Sequence, residues 1–122
     1  MPAETVLSPF YKLIMHENYA IVTYFNMATL KKSVVTEVRS HLAKFYQNNR
    51  FVLINNREEE IKIDPRFFKT TMPNLVAVAV VAHEDYDRNV LWQEQQNFNN
   101  PYAFFTTLDD AVQWATIHLV EI

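Results

Sequence analysis

The chain has 122 residues, with 11 Lys and Arg against 14 Asp and Glu and a formal net charge of −3. That is the size of one domain, with no general attraction for nucleic acid or an anionic membrane. It holds no glycine and no cysteine. The first absence excludes Walker A, GxGxxG and GxSxG loops, whose backbones need positive φ or close approach to a ligand. The second excludes thiol catalysis, disulfides and thiolate metal sites.

Hydrophobic residues make up 49% of the chain, enough for a core of its own. No apolar run approaches the roughly 18 residues of a membrane span, and the cytoplasm is the expected compartment. Residues 1–9 read as a lead-in ending at Pro9, and 10–122 as a single domain. Tyr11 to His16 and Tyr19 to Phe25 are β-rich runs, and Glu17-Asn18 between them suits a tight hairpin. Asparagine tolerates left-handed backbone better than other non-glycine residues, so Asn48, Asn49, Asn55, Asn56, Asn74, Asn99 and Asn100 are placed in turns.

Leu30, Val34, Val38, Leu42 and Phe45 recur at spacings of three and four, which predicts an amphipathic helix over 29–46 with one face on a sheet. Phe51 to Asn55 is a short strand buried on both faces. Asp64-Pro65 reads as the N-cap and first position of a short helix through about Met72. Leu75 to Val81 has no polar interruption and predicts a central parallel strand. A weaker helical pattern follows through Val90, Leu91 and Trp92, and Tyr102 to Thr106 is the last strand. Thr107-Leu108-Asp109-Asp110 opens a terminal helix with Leu108, Ala111, Val112, Ala115 and Leu119 on its buried face. The expected fold is α/β, a mixed four- to five-stranded sheet in the order ββαβαβαβα, with helices mainly on one face.

The strands 51–55 and 75–81 resemble those of the STAS-like group, the fold of sporulation anti-sigma-factor antagonists. The run Tyr102-Ala103-Phe104-Phe105-Thr106-Thr107-Leu108-Asp109-Asp110-Ala111-Val112-Gln113-Trp114 is similar to the divergent bacterial branch termed SpoIIAA-like. The resemblance implies a protein-interaction role rather than catalysis. Its hallmark elsewhere is a phosphorylatable serine in a D-S-x-G-type turn. This chain has Asn55-Asn56-Arg57-Glu58-Glu59-Glu60 there, so no phosphoswitch is carried over.

Ligands of open α/β sheets bind beyond the carboxyl ends of strands. That edge presents Asn55, Asn56 and Arg57 from one strand and His83, Glu84 and Asp85 from the next. Of these, Asn55, Asn56, Arg57, His83 and Asp85 are the candidate partner-binding set. His83, Asp85 and Arg57 also suggest a small enzyme, with an imidazole base positioned by a carboxylate and a guanidinium anion holder. His83 with Asp85 or Asp87 lacks any recognised metal-ligand spacing, and no metal or other cofactor is expected.

Phe67, Phe68, Leu91, Trp92 and Phe98 form a candidate hydrophobic surface or pocket. Surplus aromatic surface marks a dimer interface or a groove for an apolar ligand. The leading expectation is a non-enzymatic interaction or regulatory module that forms a homodimer, without nucleic-acid binding or membrane insertion. The alternative is a carrier or sensor of a hydrophobic small molecule.

Overall fold

The alternation Tyr11-Lys12-Leu13-Ile14-Met15 sends the odd-numbered side chains to one face of a strand, and Tyr11, Leu13 and Met15 are fully buried there while Lys12 is exposed. The computed structural model in which this is seen describes residues 2–69 and 71–121, and the backbone alone over 118–121. The predicted side chain of Leu119 therefore lies outside the described residues.

The elements run β1 (Glu4–Leu7), β2 (Tyr11–Met15), β3 (Tyr19–Tyr24), α1 (Lys32–Tyr46), β4 (Phe51–Asn56), a 3-10 turn (Pro65–Phe68), β5 (Leu75–Val81), α2 (Arg88–Asn97), β6 (Tyr102–Phe105) and α3 (Leu108–Glu121). The strands form one six-stranded sheet in the order β1-β2-β3-β4-β5-β6. The β1–β2 and β2–β3 pairs are antiparallel, and β3 to β6 run parallel.

The α/β class and mixed sheet hold, but the expected four to five strands and their order need correcting. The sheet has six strands, because β1 lies inside the stretch read as a lead-in. β1 is four residues long, three of them exposed, and pairs only along one edge with β2. A strand that buries so little leaves no periodic signal.

Each strand from β4 onward is added on the same side of the last. Crossovers of one hand then place the connecting segments on one face, where α1, the 3-10 turn and α2 pack over Leu13, Val22, Phe51, Val78 and Val80. The expectation of helices mainly on one face holds for these, and α3 departs from it. Val52, Ile54, Ala77, Ala79 and Val81 make the opposite face of β4 and β5 apolar too, and Ala111 and Ala115 of α3 cover it. α3 follows β6 and crosses back over that face. The alanines on both sides permit close approach.

Two further details differ. Asn55 and Asn56 belong to β4 rather than to a turn. Asn18 does not take positive φ; among the described residues, Asn26 and Gln47 do. The hairpin closes with His16 N–H donating to the Tyr19 carbonyl at 2.8 Å, and the two rings stack with centroids 4.6 Å apart. α1 starts at Lys32 rather than 29, because Thr29 is taken into a β-bridge with Lys62.

Candidate functional site

β4 and β5 are parallel neighbours with Asn56 opposite Val81, so the loops that follow them leave from one edge of the sheet. A cleft of about 1170 Å³ opens there between residues 57–66 and 83–87, with Val90 and Gln93 of α2 on its wall. Residues 26–30 brace it: Lys62 N–H donates to the Ala28 carbonyl at 2.9 Å, and Leu30 N–H donates to the Lys62 carbonyl at 2.9 Å. The lining carries Glu58, Glu59, Glu60, Asp64, Asp85 and Asp87 against Arg57, Lys62 and Arg66. Arg66 is closed by Asp64 at 2.8 Å, so the rim is acidic.

Arg57 does not face this rim as a free cation. Its side chain is 5% exposed and pairs with Glu94, which is 0% exposed. Nη2 and Nη1 donate to the two carboxylate oxygens at 2.5 and 3.0 Å, a bidentate fork. Nη1 also donates to the Tyr86 hydroxyl at 2.8 Å, and Nε to Asn55 Oδ1 at 3.3 Å. Glu94 accepts a third bond from the Tyr102 hydroxyl at 2.7 Å.

Burial works against the Arg57 charge, but the Glu94 hydrogen bonds and charge outweigh it and hold the pKa above its ordinary value. Tyr102 is pushed up by burial, reinforced by the Glu94 charge. The group is a satisfied buried network that fastens α2 and β6 to the end of β4.

His83 and Asp85 sit on the other wall, 75% and 87% exposed. His83 Nδ1 accepts the Asp85 backbone N–H at 3.2 Å and lies 3.4 Å from Asp85 Oδ2. Both side chains stand open to solvent. Asn56 Nδ2 donates to Glu58 Oε2 at 3.2 Å and to Thr23 Oγ1 at 3.5 Å, on the edge of the cleft. Thus Asn55 and Arg57 are brought together inside the protein, whereas His83 and Asp85 are brought together outside it. Among the described residues, no group of three His, Asp or Glu side chains is placed to hold a metal ion.

The apolar candidates also separate. Leu91 and Phe98 are buried in the core, Phe67 and Phe68 line a small cavity, and Trp92 is 60% exposed. Glu94, Tyr86 and Tyr102 escaped the sequence reading. The available signal was Glu94 itself, which follows Leu91 by three residues and precedes Phe98 by four, a charge on the buried stripe of α2.

No helix among the described residues is long and apolar enough to cross a membrane. Comparison with family models, with curated proteins and with solved structures found no match to this chain.

Proposed function

We propose that the chain is a non-enzymatic protein-interaction or regulatory module of the STAS-like, SpoIIAA-like type, working in the bacterial cytoplasm as a homodimer. The observation that carries this reading is the closure of Arg57 by Glu94, Tyr86 and Asn55. The strongest cation at the strand ends is spent on the fold, and what remains for a partner is surface.

That surface is an acidic rim, suited to a partner with a basic face. Trp92 stands exposed on α2, the helix that also supplies Val90 and Gln93 to the cleft. Leu7 and Ile117 are further large apolar residues open to solvent, which favours self-association.

Native mass spectrometry of the purified chain and of Trp92→Glu tests this. A species at twice 14.4 kDa that is lost in the variant supports docking through α2. A monomer at every concentration overturns the homodimer.

A second reading, a carrier or sensor of a hydrophobic small molecule, is favoured by the cavity at Phe67 and Phe68. Its volume is about 60 Å³, far below the roughly 300–1,000 Å³ of drug-sized ligand sites. Only a small molecule fits that reading.

A further inference from the structure

The cavity beneath the 3-10 turn has apolar walls, among them Val38 and Leu42 of α1, Leu53 of β4, and Phe67 and Phe68. Four polar side chains interrupt them, Tyr24, Arg39, Asn55 and Thr71, and Asn55 already accepts from Arg57 Nε. Tyr24, at the end of β3, is 8% exposed, lines the cavity, and has a hydroxyl with no hydrogen-bond partner among the described residues.

Arg39, on the border of the buried stripe of α1, is half-buried and lines the same cavity. It donates one side-chain hydrogen bond, from Nη2 to the Phe67 carbonyl. No carboxylate among the described residues pairs with it. Burial depresses its pKa, and Tyr24 is the group whose charge it senses.

Arg57 shows what this fold does with a buried guanidinium: it supplies a carboxylate. Arg39 has none. A half-buried cation without a counter-ion is costly, and its planar fork matches a carboxylate in two parallel bonds.

We infer that this cavity is a binding site for a short-chain aliphatic monocarboxylate, held at its carboxylate by Arg39 and Tyr24 and at its tail by Val38, Leu42, Leu53 and Phe68. Size sets the class: one water needs about 10–15 Å³ of such space, so the cavity admits roughly four to six non-hydrogen atoms. Charge sets it too. One guanidinium balances a single negative charge, whereas a phosphate dianion among apolar walls would be left under-compensated. The assignment rests on the small-molecule reading of the cavity and is independent of self-association.

The test is titration of the full-length ¹⁵N-labelled chain with sodium butyrate, followed by amide shifts, beside 1-butanol and sodium acetate. Butyrate is expected to give saturable shifts around residues 24, 39, 53 and 67–69, at least tenfold tighter than either comparison compound. Arg39→Met should lose at least tenfold in affinity. Tyr24→Phe removes only a hydroxyl, keeps the fold, and should weaken binding several-fold.

Equal binding of butyrate and butanol would show a mere apolar void, overturning the carboxylate assignment but keeping the small-molecule reading. No saturable shift with any of the three would overturn both. Undiminished binding in Arg39→Met, with its spectrum still dispersed, would place the ligand elsewhere.

Discussion

Removing one partner of the Arg57–Glu94 pair should cost far more than removing both. In Arg57→Met, Glu94 loses two of the three bonds it accepts and keeps only the Tyr102 hydroxyl, at a position with no solvent. Stranding a buried charge in this way costs ~3–5 kcal/mol. Unfolding entropy is about 2.1 cal/mol/K per residue, or ~0.26 kcal/mol/K for this chain, so the loss corresponds to a fall in Tm of ~12–19 °C. Glu94→Met strands Arg57 with Tyr86 and Asn55 alone and should cost a similar amount. The double variant Arg57→Met/Glu94→Met leaves no charge behind and should recover most of the loss, giving a coupling energy of ~2 kcal/mol or more. Thermal and urea unfolding of all four proteins, followed by circular dichroism, measures the cycle. Additive losses, or an Arg57→Met variant within ~1 kcal/mol of the parent, would refute the reasoning: Arg57 would then be solvated and available to a ligand.

Four of the six tyrosines should resist ionisation until the chain unfolds. Burial and Glu37 push Tyr11 up to about 12, and burial raises Tyr24, Tyr46 and Tyr102 as well. The folded values exceed the unfolded ~10, so their contribution is whole below pH 10 and is lost as pH rises through the folded values, at ~1.4 kcal/mol per group per pH unit. Absorbance at 295 nm should show them ionising together with loss of structure; reversible ionisation of all four below pH 11 in a folded chain contradicts this. Gln47 holds φ 53° and ψ −110° at the end of α1, a conformation that suits glycine. Gln47→Gly should therefore raise stability by ~1 kcal/mol after glycine's entropy cost is counted, and a lower urea midpoint would refute it. Tyr46→Phe removes the 2.7 Å bond to the His16 carbonyl but keeps the ring stacked 4.1 Å from Phe51. It should cost ~1 kcal/mol, a fall in Tm of ~4 °C.

The strand at 75–81 was legible because it is buried almost without a break on both faces, and the helix around Val34, Val38 and Leu42 because burial there repeats with the helical period. So were two caps: Asp64 accepts the Arg66 backbone N–H at 2.9 Å, and Thr107 accepts that of Asp110 at 3.3 Å. β1 was not legible, since an exposed edge strand has no apolar alternation to display. The face chosen by α3 was not legible either: Ala111 and Ala115 suit any close-packed surface, and only the completed sheet shows which one is left bare. The candidate site was half readable. Strand-end residues could be brought to one edge from the parallel topology alone, but Glu94 lies 37 residues from Arg57. Nothing local announces that pairing except a glutamate on an apolar stripe. Local chemistry can show which groups are polar, but long-range packing determines which of them remain unspent.

Besides the Lys62 bridge to residues 28–30, two arginines that the fold treats differently hold the stretch between β4 and β5. At its start, Arg57 is fastened by Glu94; further along, Arg39 holds the Phe67 carbonyl by a single bond. This stretch has two faces. Asp64, Pro65 and Arg66 line the acidic cleft, Phe67 and Phe68 line the cavity behind α1, and Ile63 lines both. A carboxylate drawing Arg39 away from Phe67 would loosen the weaker attachment and leave the stronger intact. The cleft wall beyond Lys62, at Asp64, Pro65 and Arg66, would then shift. Linkage makes such an effect reciprocal: a partner seated in the cleft must change affinity at the cavity by the same factor that the cavity ligand changes affinity for the partner. Arg39→Met cuts the Phe67 bond without touching the cleft, so it should alter partner docking even with no carboxylate present. Butyrate should have no further effect on docking in that variant. Docking by Arg39→Met identical to that of the parent chain would separate the two faces and leave the cavity without a part in recognition.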